Sequence, residues 1–540
     1  MPVRIDAFDH LGLASIPAPF DAFDLAQGTN SRLSNDDAKI VQSRLRQRQD
    51  ELHLILALLA QARGTRKHLK PILEEKQAQL EDQIRRFKIA LAPWKSLPPE
   101  IIQDVFLLLR DGSITFPPMV NRAPLLLCRI CSPWRSLALE TPGLWSSASL
   151  FLDTTAESVK ISRNVFALYA FLDRANSKNV PLHLELREQT SSKGRGSFPH
   201  YAAGSYDPKS NLITNSVVPF TRNLQSLSLT VSPENFTTFV RLPSGTLDSL
   251  LTLHLEASMP GPARASDGLR KSFTPFGLSP RLKTLILDFS PLMMVDPQFV
   301  NFPWHCIQYL RCQHHVSLDT FLEIMESCTS AEELQFLIAG RKGAAMTPSR
   351  TELPELRQLN LTFAPDSICD PVFLPYTLPN LNSLTIKGDA DVFFSSKRPW
   401  ADMLESMRCD IRHLELDSID PELVRMDDII THTPSLETLV VPRNTTLSHE
   451  CLRGILSGQR AESLERLRIT SHQPLAPVLE LLEYEAARRK RSCLPSASRL
   501  RCLEVDCDRR DFVVNAFRLD RVRAATGIVV ECINSSSVEV

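Results

Sequence analysis

The sequence predicts an α/β protein in which a long N-terminal helix and three short helices lead into a repeat array that builds a parallel sheet. Three observations predict it. Apolar residues fall seven apart from Leu45 to Phe87, the spacing of a helix with a narrow apolar seam. The apolar, Pro-punctuated stretch from Ala92 to Trp145 divides into three short helical segments. From Leu224 onward a Leu-x-x-Leu-x-Leu pattern returns every 22 to 36 residues, and self-similarity at such a period marks stacked repeats.

Residues 1–34 mix Pro, Asp and Phe without a period and read as a disordered leader. A long helix is expected over 35–93. Its strong row is Leu45, Leu52, Leu59, Arg66, Leu73, Leu80 and Phe87; the row three residues further on, from Arg48 and Ile55 to Lys76, Gln83 and Ala90, is only half apolar. Run unbroken over 36–91 the helix would extend about 80 Å, but Gly64 weakens it and Pro71 kinks or breaks it. The seam suits equally a helix laid along its own domain or a weak self-association of two chains.

Residues 94–146 carry the sharpest pattern. Leu97-Pro98-Pro99-Glu100 opens a helix, because proline in a first turn sacrifices no intrahelical hydrogen bond. Ile101, Ile102, Val105, Phe106, Leu108 and Leu109 follow at helical spacing, a band too wide for one core to cover. A second apolar run, Ala123 to Cys131, stops at Ser132-Pro133, the expected N-cap and first position of a third helix bearing Trp134 and Leu137. Three short helices in about 50 residues make a poor independent core and read as half of an interface.

This arrangement resembles the F-box. The match is Leu97-Pro98-x-Glu100-Ile101-x-x-x-Val105-Phe106, then Leu126-Leu127, then Ile130-Cys131-x-x-Trp134-Arg135. Asp111 to Arg122 lengthens the first loop, and Pro133 stands where many members carry a basic residue. With Leu-rich helix directly before it, the segment is similar to fungal, basidiomycete-type F-box proteins. The resemblance implies docking on a Skp-type adaptor, and through it a cullin, by Leu97, Pro98, Ile101, Ile102, Val105, Phe106, Cys131 and Trp134. It also implies that the rest of the chain captures a target protein.

Residues 147–540 are expected to form a leucine-rich-repeat solenoid with a parallel sheet. Ser147–Asp153 and Val180–Leu186 alternate as strands do, Glu157–Ala175 reads as a helix, and Glu188–Asn211 is a Ser-, Gly- and Lys-rich insertion. The repeats begin at Leu224, Leu250, Leu282, Ile307, Leu334, Leu356, Leu381, Ile411, Leu436, Leu464 and Leu500, span 224–506, and are capped by 507–540. Leu318–Ser327 and Leu447–Leu456 read as helical returns; 257–280, 341–353 and 485–498 read as loops; Asn534–Val540 frays. Asn444 alone supplies the asparagine usual past the last leucine. Positions three, five and seven of each copy face away from the core. That places Ile286, Tyr309, Phe336 and Ile338 in one apolar patch flanked by Asp288 and Arg311, unless an insert, 257–280 or 341–353, folds over it and makes it core. Aromatics around an arginine are the composition of a binding hot spot, so Arg311 and the four apolar residues are the candidate target-binding residues.

Composition excludes several functions. With 61 Lys and Arg against 62 Asp and Glu the net charge is -1, which argues against attraction to nucleic acid or an anionic membrane. Twelve scattered cysteines fit a reduced intracellular chain. The N-terminus lacks the apolar core of a signal peptide, and no apolar run reaches the roughly 20 residues of a membrane span. A cytoplasmic or nuclear location, or both, is expected. Cys128-x-x-Cys131 has no second ligand pair, His314-His315 has no convergent partners and reads as surface histidines, and Arg488–Arg491 reads as a solvated loop, with a nuclear localisation signal as the alternative. Lys193–Gly204 is no phosphate loop, and G-x-S-x-G and H-E-x-x-H are missing. The expectation is a substrate receptor of a ubiquitin ligase that is not itself an enzyme and needs no metal or cofactor. The alternative is a protein-binding repeat scaffold without ligase function.

Overall fold

In the computed structural model of the 540-residue chain, the described residues are 33–65, 70–110, 112–153, 158–189, 215–231, 238–239, 241–257, 275–277, 280–289, 302–339, 351–365, 376–388, 399–417, 424–441, 449–469, 475–492, 499–505 and 509–532. Residues 1–32 of the leader, Arg66, the 190–211 insertion, Asn444, 534–540 and most of the three expected loops lie outside them. The protein is mixed α/β with a large parallel sheet. It divides into two compact units, Met1–Ser147 with Phe171–Val180, and Ala148–Ala170 with Pro181–Val540. Among the described residues no helix is long and apolar enough to cross a membrane.

In the first unit the single helix expected over 35–93 is instead two, α1 (Asn35–Thr65) and α2 (Lys70–Ala90). The second begins one residue before Pro71, where proline is tolerated because a first-turn N–H needs no partner. Ser34 starts α1, its hydroxyl accepting from the Asp37 N–H at 3.1 Å, and Asp36 and Asp37 complement the positive helix end. The helices fold back antiparallel. Val41 packs with Phe87 and Ala90, and Ile55 packs with Leu73 and Leu80. The predicted strong row is thus the seam of an intramolecular hairpin. On α2 its companion is buried Ile84, three residues before Phe87, and not Lys76 or Gln83. Arg48 stays in the α1 row by pairing with Glu51 at 2.5 Å.

Beyond the hairpin lie α3 (Pro99–Leu108), β1 (Ile114–Phe116), α4 (Leu127–Ile130) and α5 (Ser132–Glu140). Their core is aromatic. Trp134 meets Phe106 edge-on with centroids 5.0 Å apart and Trp94 at 5.7 Å. Trp145 and Phe116 both pack on Phe171, at 5.0 and 5.4 Å. Such T-shaped pairs add about 0.5–1.5 kcal/mol each beyond burial. The Trp145 indole N–H donates to the Ala138 carbonyl at 2.8 Å, and the Arg174 guanidinium lies 4.7 Å over the Trp145 ring.

The second unit is organised by strands β2 (Ser147–Asp153), β3 (Leu182–Gln189), β4 (Leu224–Val231), β5 (Thr252–Ala257), β6 (Thr284–Phe289), β7 (Tyr309–Ser317) and β8 (Glu333–Ala339). Next come β9 (Thr351–Glu352), β10 (Gln358–Phe363), β11 (Tyr376–Thr377), β12 (Ser383–Gly388) and β13 (His413–Asp417). The last are β14 (Thr438–Val441), β15 (Arg466–Ile469), β16 (Cys502–Val505) and β17 (Val529–Cys532). Apart from β9 and β11, which pair with each other, they lie side by side in chain order. From β3 to β17 each pairs in parallel with the next. Along each strand alternate residues are buried: Leu227 and Leu229, Leu253 and Leu255, Leu285 and Leu287, Leu359 and Leu361, Leu384 and Ile386, Leu414 and Leu416. The first residue of the motif is buried in every copy too, from Leu224 through Leu250 and Leu282 to Leu500.

One copy is shifted. Leu310 registers with Leu334, and Leu334, Phe336 and Ile338 all point into the core. Ala331, buried, takes the first motif position that the sequence assigned to Leu334. The spacing from Ile307 through Ala331 to Leu356 becomes 24 and 25 residues in place of 27 and 22, so the correction makes the array more regular. Just before it β7 bulges. Arg311 pairs with Gln335, but the next partner, of Leu337, is His315.

Returns between strands include helices at Leu318–Ser327, Pro399–Met407, Met426–His432 and His449–Ser457. Ser317 caps the first, accepting from the Thr320 N–H at 3.1 Å. A further helix, Leu475–Ser492, runs through 485–492, where the sequence predicts a loop: Leu475, Val478, Leu479 and Leu482 anchor its start in the core, and Arg and Lys continue it as good helix formers. Arg509–Val514, Ala516–Thr526 and β17 close the sheet's C-terminal edge.

Candidate protein-interaction surfaces

The first surface is built on α3. Pro98 is its N-cap and Pro99 its first residue, so the helix starts where backbone donors are already surplus. Leu97, Ile101 and Val105, four apart, leave 42%, 45% and 41% of their surface exposed. Leu108 continues the stripe at 84%, Pro98 is exposed and Ile102 is half-buried. Phe106, expected with them, is fully buried against Trp134. Its place on α3 turns it away from the stripe and toward α5, and it belongs to the core.

Cys131 and Trp134 are half-buried and play supporting parts. Cys131, one residue earlier than the expected Ser132, is the N-cap of α5: its sulfur accepts from the Trp134 N–H at 3.4 Å. The Trp134 indole N–H is buried with no hydrogen-bond partner among the described residues. Burial pushes the neighbouring Cys128 thiol up from its ordinary range, against the pull of Arg135 and Arg174, which suits an inert apolar role. Sequence reasoning left out Met119, Val120 and Leu139, all exposed like Leu126 and Ile130. Their only sequence signal is apolarity in a loop and at a helix end.

The second surface is the sheet face turned away from the core. Of the five candidate target-binding residues, Ile286, Tyr309 and Arg311 stand on it. Ile286 registers with Arg311 on adjacent strands, and Tyr309 is 42% exposed. Phe336 and Ile338 do not: both are fully buried, Phe336 edge-on against Phe321 at 4.9 Å. The outward residues of β8 are Glu333, Gln335, Leu337 and Ala339. With the Gln313 amide nitrogen set toward Asp288, it donates to Oδ2 at 3.2 Å, while the amide oxygen accepts from Arg311 Nε and Nη2 at 3.0 and 3.3 Å.

No arrangement for covalent chemistry appears among the described residues. Ser228 Oγ lies 3.2 Å from His254 Nδ1, but no carboxylate orients that ring. Cys502, Glu504 and Glu531 come close enough to share a cation, yet Glu504 is already held by Arg468 at 2.8 Å and Arg466 at 3.5 Å. His314, which the sequence reads as a surface histidine, is instead buried against the Leu287 carbonyl, while His315 is exposed. Compared with known proteins, the chain matches no family model and no curated protein.

Proposed function

We propose that the chain is the substrate-receptor subunit of a Skp–cullin–F-box type ubiquitin ligase. The segment 94–146 acts as an F-box that docks on the adaptor, and the array acts as a leucine-rich-repeat solenoid that holds a target protein. The observation that carries the reading is the stripe of Leu97, Ile101, Val105 and Leu108. These are large apolar side chains left in water on α3 and on the residue just before its N-cap, beside Pro98 and at the spacing of the F-box signature. Such a patch on a folded surface marks a partner site. The contribution to ubiquitin transfer is proximity, holding target lysines at high effective concentration near the charged carrier.

The test is co-purification. Wild-type chain is expected to bring down a Skp-type adaptor and cullin, and the Leu97→Ala/Pro98→Ala double variant neither, with its fold intact by circular dichroism. Adaptor retained by that variant would sink the assignment. Target binding without any adaptor would favour a repeat scaffold.

A further inference from the structure

We infer that the sheet face over β5–β8 captures a basic, extended segment of the target protein. The inference rests on reading the array as the target-holding part, and it names the chemistry of what is held. Exposed Tyr309 shares this face with four half-buried carboxylates, two beside it and two about four residues further along the strands. Glu256 and Asp288 are register partners on β5 and β6, Glu333 is the register partner of Tyr309 on β8, and Glu332 accepts from the Tyr309 hydroxyl at 3.5 Å. None of the four has an ion-pair partner among the described residues.

Elsewhere on the same face three acids are neutralised locally. Glu185 is held by Arg187 at 2.5 Å, Glu415 by Lys387 at 2.9 Å and Glu504 by two arginines. Arg311 keeps its charge while its Nε and one Nη donate to the Gln313 carbonyl, and exposed Lys283 and Arg357 border the row of Glu332. The four carboxylates outnumber these three bases, so the face is acidic around an aromatic ring, with Ile286 as its apolar neighbour, and a cation is its electrostatic complement. Strands lie about 4.8 Å apart and residues rise about 3.4 Å along them, so the carboxylates run diagonally across β5 to β8 over about 20 Å. An extended segment of about six residues covers that length, with Lys or Arg on alternate residues.

The experiment uses the full chain and three fluorescent decapeptides that alternate Ser with Lys, with Glu or with Gln, read by anisotropy. The Lys peptide is expected to bind at least about tenfold more tightly than the Glu peptide, and to weaken with salt. Asp288→Asn/Glu333→Gln, both conservative surface changes, lowers that affinity about tenfold, whereas Glu415→Gln on β13 leaves it unchanged. Preference for the Glu peptide, or Lys-peptide binding indifferent to the Asp288/Glu333 pair, overturns the basic partner. If the Gln or Glu peptide binds and Tyr309→Ala abolishes it, the face still captures protein and only the charge preference falls. If no peptide binds, or one binds and Tyr309→Ala leaves it unchanged, the target-holding role of this face falls as well. Adaptor co-purification reports separately on α3.

Discussion

A buried side chain and an exposed one of the same type separate the two roles that a motif residue can have. Phe106→Ala empties a site between α3 and Trp134 and is expected to cost about 3–5 kcal/mol, seen as a lower unfolding midpoint. Val105→Ala, one residue away on the exposed stripe, should stay within about 0.5 kcal/mol while weakening adaptor capture. The same contrast divides Phe336→Ala, destabilising, from Tyr309→Ala, nearly neutral in stability. His314 gives a pH signature. Burial, aided by His315 and opposed by the Leu287 carbonyl, lowers its pKa from 6.5 to about 4. Above pH 6.5 both folded and unfolded chains hold it neutral and its full stability is present. As pH falls toward 4 only the unfolded chain takes the proton, so about 3 kcal/mol is lost. His314→Gln should flatten urea-midpoint curves between those pH values relative to wild type; parallel curves would show the ring to be hydrated.

At the scale of elements, the hairpin shows what periodicity contains and what it omits. The row from Leu45 to Phe87 was legible because leucines seven apart fall on one stripe of a helix and on no single face of a strand. The fold-back was not, since a seam reads the same whether its partner is another chain or the chain's own next helix. Pro71 marked the break, and once α2 restarts, the companion row moves to Ile84. Leu80→Ala is expected to cost about 2–5 kcal/mol, and Ile72→Ala, at an exposed position, almost nothing, both by chemical denaturation. The slip at β8 has a similar cause. Leu334, Leu337 and Ala339 satisfy the motif, whereas Ala331, Leu334 and Phe336 fit it only once Phe is admitted at the last position. When both faces of a strand are apolar, only its neighbours decide, and the pairing of Leu310 with Leu334 does so. Tyr309 and Arg311 on β7 are legible because polar and apolar residues alternate there, whereas Ile286 on β6 lies between Leu285 and Leu287 and takes its face from the register with β5 and β7.

Over the whole molecule, cysteine chemistry follows packing. Burial pushes the Cys328 thiol up to about 12 and Cys451 up to about 11, and raises Cys312 further. Thiols held protonated and out of water do not attack alkylating agents. Iodoacetamide at pH 8 is therefore expected to label these three at the rate of unfolding, measured by mass spectrometry after timed quenching; fast labelling would mean local opening.

The chain-order sheet has one more consequence. Because no strand from β3 to β17 outside the β9–β11 pair is bridged to a distant one, the array behaves as a stack of nearest-neighbour links. Pulled by its ends in an optical trap, it has no central clamp that must break before the rest yields. Strands leave one at a time from the termini, so the extension trace is a train of small, similar steps at nearly constant load, and on relaxation the chain rewinds from whichever strands remain.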